Sequence, residues 1–153
     1  MNARRTPAPL PGPLGLPAYV RLAQTWRSIA PLEPRLQLLV TQLAAERSGC
    51  AYCIAHGRHL GRKLGVASEA IEAVAGYAGD GRYSEAERAA LALADAVTRF
   101  AESEGGFPIE ILVQARRHYD ELQIVRLVAA ASVEHFFDPA TGRLGRDSLP
   151  VSD

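Results

Sequence analysis

Apolar residues in this chain recur at spacings of three and four, and no stretch keeps up the two-residue alternation of a half-buried strand. That pattern constrains the fold more than any other feature and predicts an all-α domain. Leu22, Trp26 and Ile29 mark a first helix over 18–29. Pro34 suits the first turn of a second helix, 34–47, in which Leu36, Leu39, Val40 and Leu43 form a stripe widened by Leu38. Ser48 is the expected cap of a third helix that places Cys50 in its first turn and stops at Gly65. Ser68 is the expected cap of a short fourth helix, 69–77. Ser84 and Glu87, three apart, read as a capping box opening a strong helix through Leu91, Ala94, Val97 and Phe100. Pro108 opens a helix to His118, and Asp120 caps a last one through Ile124, Leu127, Val128 and Ala131 to His135.

At 153 residues one domain is expected. Proline-rich residues 1–17 read as a flexible arm, 18–138 as the helical domain and 139–153 as a loose tail. Seventeen basic and seventeen acidic side chains balance, which argues against nucleic acid or an anionic membrane as the main partner. No apolar run approaches membrane-spanning length, and the early prolines break up any signal helix. A cytoplasmic protein is therefore expected, its thiols reduced at rest.

The two cysteines lie in Glu46-Arg-Ser-Gly-Cys50-Ala-Tyr-Cys53-Ile-Ala-His56-Gly-Arg-His59. Haem attachment needs a histidine directly after the second cysteine, and Ile54 stands there. A four-ligand zinc site on one helix fails: from Cys50 to His59 the direction lags by about 180° and the rise is about 13.5 Å, whereas zinc ligands converge within about 2.3 Å. Cys50 and Cys53 with a third ligand from elsewhere stay open, as do two inert buried cysteines. A redox dithiol is the chemically productive reading. A helix N-terminus favours thiolate, and residues three apart lie close enough for a disulfide. Arg47, Arg58, Arg62 and Lys63 add positive charge. Glu46, one turn before Cys50, and His56, three after Cys53, offer proton acceptors. Thioredoxin needs strands, which this pattern lacks.

The segment and its setting, from Leu32-Glu-Pro-Arg-Leu36 through the CxxC and His56 to the Asp120–Phe137 helix, resemble the AhpD-like alkylhydroperoxidase branch of the carboxymuconolactone decarboxylase-like superfamily. The resemblance implies a helical bundle with the CxxC at the N-terminus of a central helix. It also implies hydroperoxide reduction, with Cys53 as peroxidatic thiol, Cys50 as the resolving and reductant-facing thiol, and a glutamate and a histidine as proton relay. A dithiol carrier of lipoyl type is the implied reductant, and a trimer or hexamer the implied assembly. No metal or organic cofactor is called for. This chain departs from the pattern twice: Gly57 stands where better-studied members carry the histidine, which leaves His56, and Leu38 stands where they carry the upstream glutamate, which leaves Glu46. Tyr52 and His135 are candidate pocket residues. His59 and His118 read as structural. A lactone-converting enzyme with incidental cysteines and a non-catalytic, redox-sensing helical oligomer are the competing classes.

Overall fold

The computed structural model describes residues 31–100 and 106–141 together with Arg21, Gln24, Thr25 and Ser28, with side chains to Ser132. Most of the expected 18–29 helix, the proline-rich arm and residues 142–153 lie outside it. Among the described residues every regular element is helical: α1 (Pro34–Ser48), α2 (Ala51–Lys63), α3 (Ser68–Glu72), a 3-10 segment (Val74–Gly79), α4 (Glu85–Arg99), α5 (Ile109–Ala115) and α6 (Glu121–Thr141). The last runs past the boundary expected at 138.

Helix α1 is the hub. Pro34 sits in its first turn, and the Glu33 carboxylate accepts the Arg35 and Leu36 N–H groups at 3.1 and 2.9 Å, satisfying donors that a helix start leaves without partners. Its buried residues run Leu36, Leu38, Leu39, Val40, Gln42, Leu43, Ala44 and Ala45, more than one face of a helix, because α2, α4 and α6 all pack on it. The main core joins Leu39, Val40 and Leu43 to Leu91, Leu93 and Ala94 of α4 and Leu127 and Ala131 of α6. Tyr83 is buried there and its hydroxyl donates to the Ala70 carbonyl at 2.6 Å. Leu38, Val66 and Ile71 form a second, smaller cluster on the α2–α3 side.

The Ser84–Glu87 capping box forms as expected, and Arg35 of α1 adds an ion pair to Glu87 at 2.7 Å. Burial pushes the Glu87 carboxyl up, but the Ser84 N–H and the Arg35 guanidinium outweigh it and leave the group below its ordinary value. Tyr119 donates to the Ala86 carbonyl at 2.8 Å; burial first, then the Glu87 charge, push it up to about 12. Asp120 and Gln123 cap α6 reciprocally, at 2.8 and 3.1 Å.

Three helix ends differ from expectation. Ser48 does not cap α2; it ends α1, its hydroxyl donating back to Ala44 at 2.9 Å, because left-handed Gly49 (φ 70°) closes α1 one residue later. Ala67, not Ser68, precedes α3, without a side-chain cap, and the expected 69–77 helix changes to 3-10 after Glu72. Helix α5 stops at Ala115 rather than His118.

Candidate functional site

Gly49 is where the site begins. Its N–H closes α1, and the Cys50 N–H bonds the Ala45 carbonyl at 3.2 Å, so the chain turns at once into α2. Cys50 is therefore the residue capping α2. Its Sγ accepts the Cys53 N–H at 3.2 Å, taking the place that a serine hydroxyl or aspartate oxygen holds at other helix starts. Cys50 and Cys53 are joined as a disulfide across 5.3 Å between Cα atoms, within the range such bonds span. The two cysteines sit in unequal surroundings: Cys50 is only 6% exposed, whereas Cys53 is half-buried.

What brings α2 against α1 is a pair of glycines one turn apart. A Cβ on Gly61 would collide with Ile71 and press on Leu38, and a Cβ on Gly57 would collide with the Gln42 carboxamide. Both glycines are buried where the other α2 positions are half-buried or exposed, so α2 rests on α1 through bare backbone.

The groove so formed holds polar groups. Gln42, 1% exposed, donates from Nε2 to Glu46 Oε1 at 3.1 Å. Arg58 reaches the same carboxylate oxygen at 3.9 Å from the α2 side. Glu46 is thus held between helices at the dithiol end of α1. His56 lies on the outer side of α2, exposed, its ring stacked on Tyr52 with centroids 6.2 Å apart and planes 10° from parallel. The structure therefore sets Glu46 between α1 and α2, against Gln42 and Arg58, and stacks the exposed His56 on Tyr52. His135 belongs to α6, and its side chain lies outside the described residues. Among the described residues no group of three or more His, Cys, Asp or Glu side chains converges as a metal site.

Of the four cations expected near the cysteines, Arg58 makes the ion pair to Glu46 seen among the described residues. Arg47 instead tethers α1 to α4 and the 3-10 segment: Nε donates to Asp95 Oδ1 at 2.7 Å and Nη2 to the Ala75 carbonyl at 3.0 Å. The hydrogen bond to Asp95 raises its pKa against the opposing effect of burial. Arg62 and Lys63 stand at the far end of α2. An open cleft of about 440 Å³, lined by Tyr77, Asp95, Arg99 and Ile111, contains no residue of α1 or α2 and is separate from the dithiol.

Sequence reading missed Gln42. Its signal was there: a glutamine between Val40 and Leu43, one turn before Glu46 and opposite a mid-helix glycine.

Similar proteins give this geometry a setting. The uncharacterized protein YdfG of Bacillus subtilis (strain 168) is 32% identical over 90 residues, 59% of this chain and 60% of that protein, so the match spans less than two thirds of the relative. The crystal structure of ATU0492 from Agrobacterium tumefaciens, a protein of unknown function suggested to be the antioxidant-defence protein AhpD, superposes with a TM-score of 0.78 at 27% identity, over 92% of this chain and 93% of that one. The debrominase Bmp8, as a cysteine-to-alanine variant with 2,3,4-tribromopyrrole, shares the fold at a TM-score of 0.71 and 22% identity, over 86% of this chain and 68% of that one. With the family's sequence pattern matched over residues 13–96, more than half its length, the chain belongs to the carboxymuconolactone decarboxylase family.

Proposed function

We propose that the protein is an AhpD-like thiol oxidoreductase that reduces hydroperoxides through Cys50 and Cys53. The observation that carries this reading is the closed Cys50–Cys53 pair at the start of α2, with the Glu46 carboxylate held by Gln42 and Arg58 between the same two helices. The likeness to ATU0492 supports it. In the reduced protein Glu46 takes the Cys53 thiol proton. The thiolate attacks the hydroperoxide, the O–O bond breaks, and the proton passes to the departing alkoxide, giving an alcohol and a Cys53 sulfenic acid. The Cys50 thiol then displaces water from that sulfur and forms the disulfide. One hydroperoxide and two thiols yield one alcohol, one water and one disulfide. A dithiol carrier of lipoyl type restores the thiols by attacking the sulfur of Cys53, the more exposed of the two residues. Cys50 leaves as a thiolate held by the Cys53 N–H, and a low-pKa leaving group departs faster. His56 exchanges protons between the site and solvent. The cycle takes place in the cytoplasm, in a trimer or hexamer of this chain.

The test is a thiol count on the reduced protein before and after one equivalent of tert-butyl hydroperoxide. Wild type is expected to lose two thiols, and Cys53→Ser to keep Cys50 as a free thiol. If both thiols survive excess hydroperoxide in the folded protein, the peroxidase reading is wrong. Conversion of a lactone that is unaffected by Cys53→Ser would assign the protein to the lactone enzymes instead.

A further inference from the structure

We propose that Gln42 is a positioning residue for the dithiol: with Gly57 as its seat, it fixes the Glu46 carboxylate opposite Cys53, so that proton transfer at the thiol runs through a carboxylate aimed by a buried amide. This deepens the thiol reading above and relies on it for the identity of the reaction, though not for the geometry.

The register of the two helices is the first support. Leu38 meets Gly61, and Gln42 meets Gly57. Four residues forward on α1 correspond to four residues back on α2, as expected for antiparallel neighbours joined by a tight turn. The next step of the same register sets Glu46 opposite Cys53. Gln42 Nε2 bonds Glu46 Oε1 along α1, and Arg58 approaches the same oxygen from α2. The carboxylate is thereby held from two sides, by Gln42 along α1 and by Arg58 from α2.

The chemistry of Gln42 is the second support. Its side chain is 1% exposed, yet Oε1 has no hydrogen-bond partner among the described residues. A buried amide oxygen without a donor lowers stability. Leucine or methionine would fill the same volume at no such penalty, so packing gives no reason for a glutamine. The amide's one described hydrogen bond goes to Glu46. Gly57 gives the matching reason on α2: any side chain there would displace the carboxamide.

Two substitutions reach the same amide from opposite helices, so a folding failure in one leaves the other to decide. Gln42→Leu removes the amide. Gly57→Ala leaves Gln42 in place but pushes its carboxamide aside, at a mid-helix site where alanine is the better helix former. Each is made in the full chain, reduced, and read in two ways: the rate of oxidation by tert-butyl hydroperoxide, and the pH midpoint of Cys53 alkylation by iodoacetamide, resolved by mass spectrometry. Oxidation is expected to slow by about tenfold, a part of what a positioned acid–base group supplies. The alkylation midpoint is expected to move down, because a carboxylate no longer held beside the thiol no longer opposes its ionisation. Glu46→Gln should show the same split, and combining it with Gln42→Leu should add nothing further. Profiles like wild type in both variants would overturn the proposal. So would effects that add fully to those of Glu46→Gln, or a midpoint that follows His56→Ala alone. If hydroperoxide fails to oxidise even the wild type, the peroxidase reading falls, and the alkylation midpoints still decide the role of Gln42.

Discussion

Cys50 and Cys53 differ by three positions, and almost everything about their chemistry follows from which of them is the cap. As capping residue Cys50 lies under the end of α1, and its sulfur takes the N–H that the first turn of α2 leaves open. Cys53, one turn in, is only half-buried. The resemblance implies Cys50 as the sulfur the reductant reaches; the proposal made above assigns that role to Cys53, on the ground that the turn at Gly49 leaves Cys50 only 6% exposed. A bulky thiol reagent should therefore discriminate between them. With the aromatic disulfide DTNB on the reduced protein, Cys50→Ser is expected to give a mixed disulfide at Cys53. Cys53→Ser should react at Cys50 about tenfold more slowly, as expected of a thiol shielded from the reagent. Faster labelling of Cys50 would reverse the assignment. Local sequence placed the two cysteines at the start of a helix but did not announce this asymmetry, because a shift of one residue in the cap is invisible to spacing alone.

At the level of the helices, local signals were legible where both partners lie within one turn and illegible where they lie across the fold. Ser84 and Glu87, and Asp120 and Gln123, make reciprocal caps that sequence spacing can announce. The Ser48 cap failed because Gly49, in the left-handed region, competes for the same break. Nothing within four residues announces that Arg35, 52 positions away, completes the Glu87 site. Gly57 and Gly61, one turn apart in a helix, were the one local hint of a long-range contact, a close helix approach in which a Cβ would meet the Gln42 carboxamide at one position and Ile71 at the other. The Glu87 site carries a prediction with a defined sign. Its carboxyl titrates below its ordinary value in the folded chain. Its contribution is therefore complete above the unfolded pKa of 4.5 and is lost as pH falls through the lower folded value. Glu87→Gln keeps an acceptor for the Ser84 N–H but removes the charge facing Arg35. In urea unfolding it should lower stability by about 1 kcal/mol at neutral pH, with the gap narrowing as pH falls below the ordinary carboxyl value. A gap that persists undiminished at acid pH would mean that the ion pair is not its source.

The whole molecule poses a question that the dithiol does not answer, which is how so small a helical domain disposes of its outer apolar surface. No described helix is long and apolar enough to cross a membrane, yet Ile109 and Val113 on α5 and Leu122 and Val125 on α6 are each about half exposed. Both pairs keep helical spacing, four apart and three apart, so each helix presents a strip rather than scattered residues. Single exposed apolar residues need no explanation, but paired strips on consecutive helices fit an interface between copies of this chain. This supports the proposed trimer or hexamer, with net charge near zero doing little to keep copies apart. Sedimentation at about 10 µM should then give a closed multiple of the 16.5 kDa chain. A double substitution, Val113→Glu with Val125→Glu, places charge in both strips without touching the core, the groove or the cysteines. It is expected to shift the protein toward monomer with helix content by circular dichroism unchanged. A wild type already monomeric at that concentration would show that these strips serve something other than self-association. If the double variant stays fully assembled with helix content intact, the copies meet through another face.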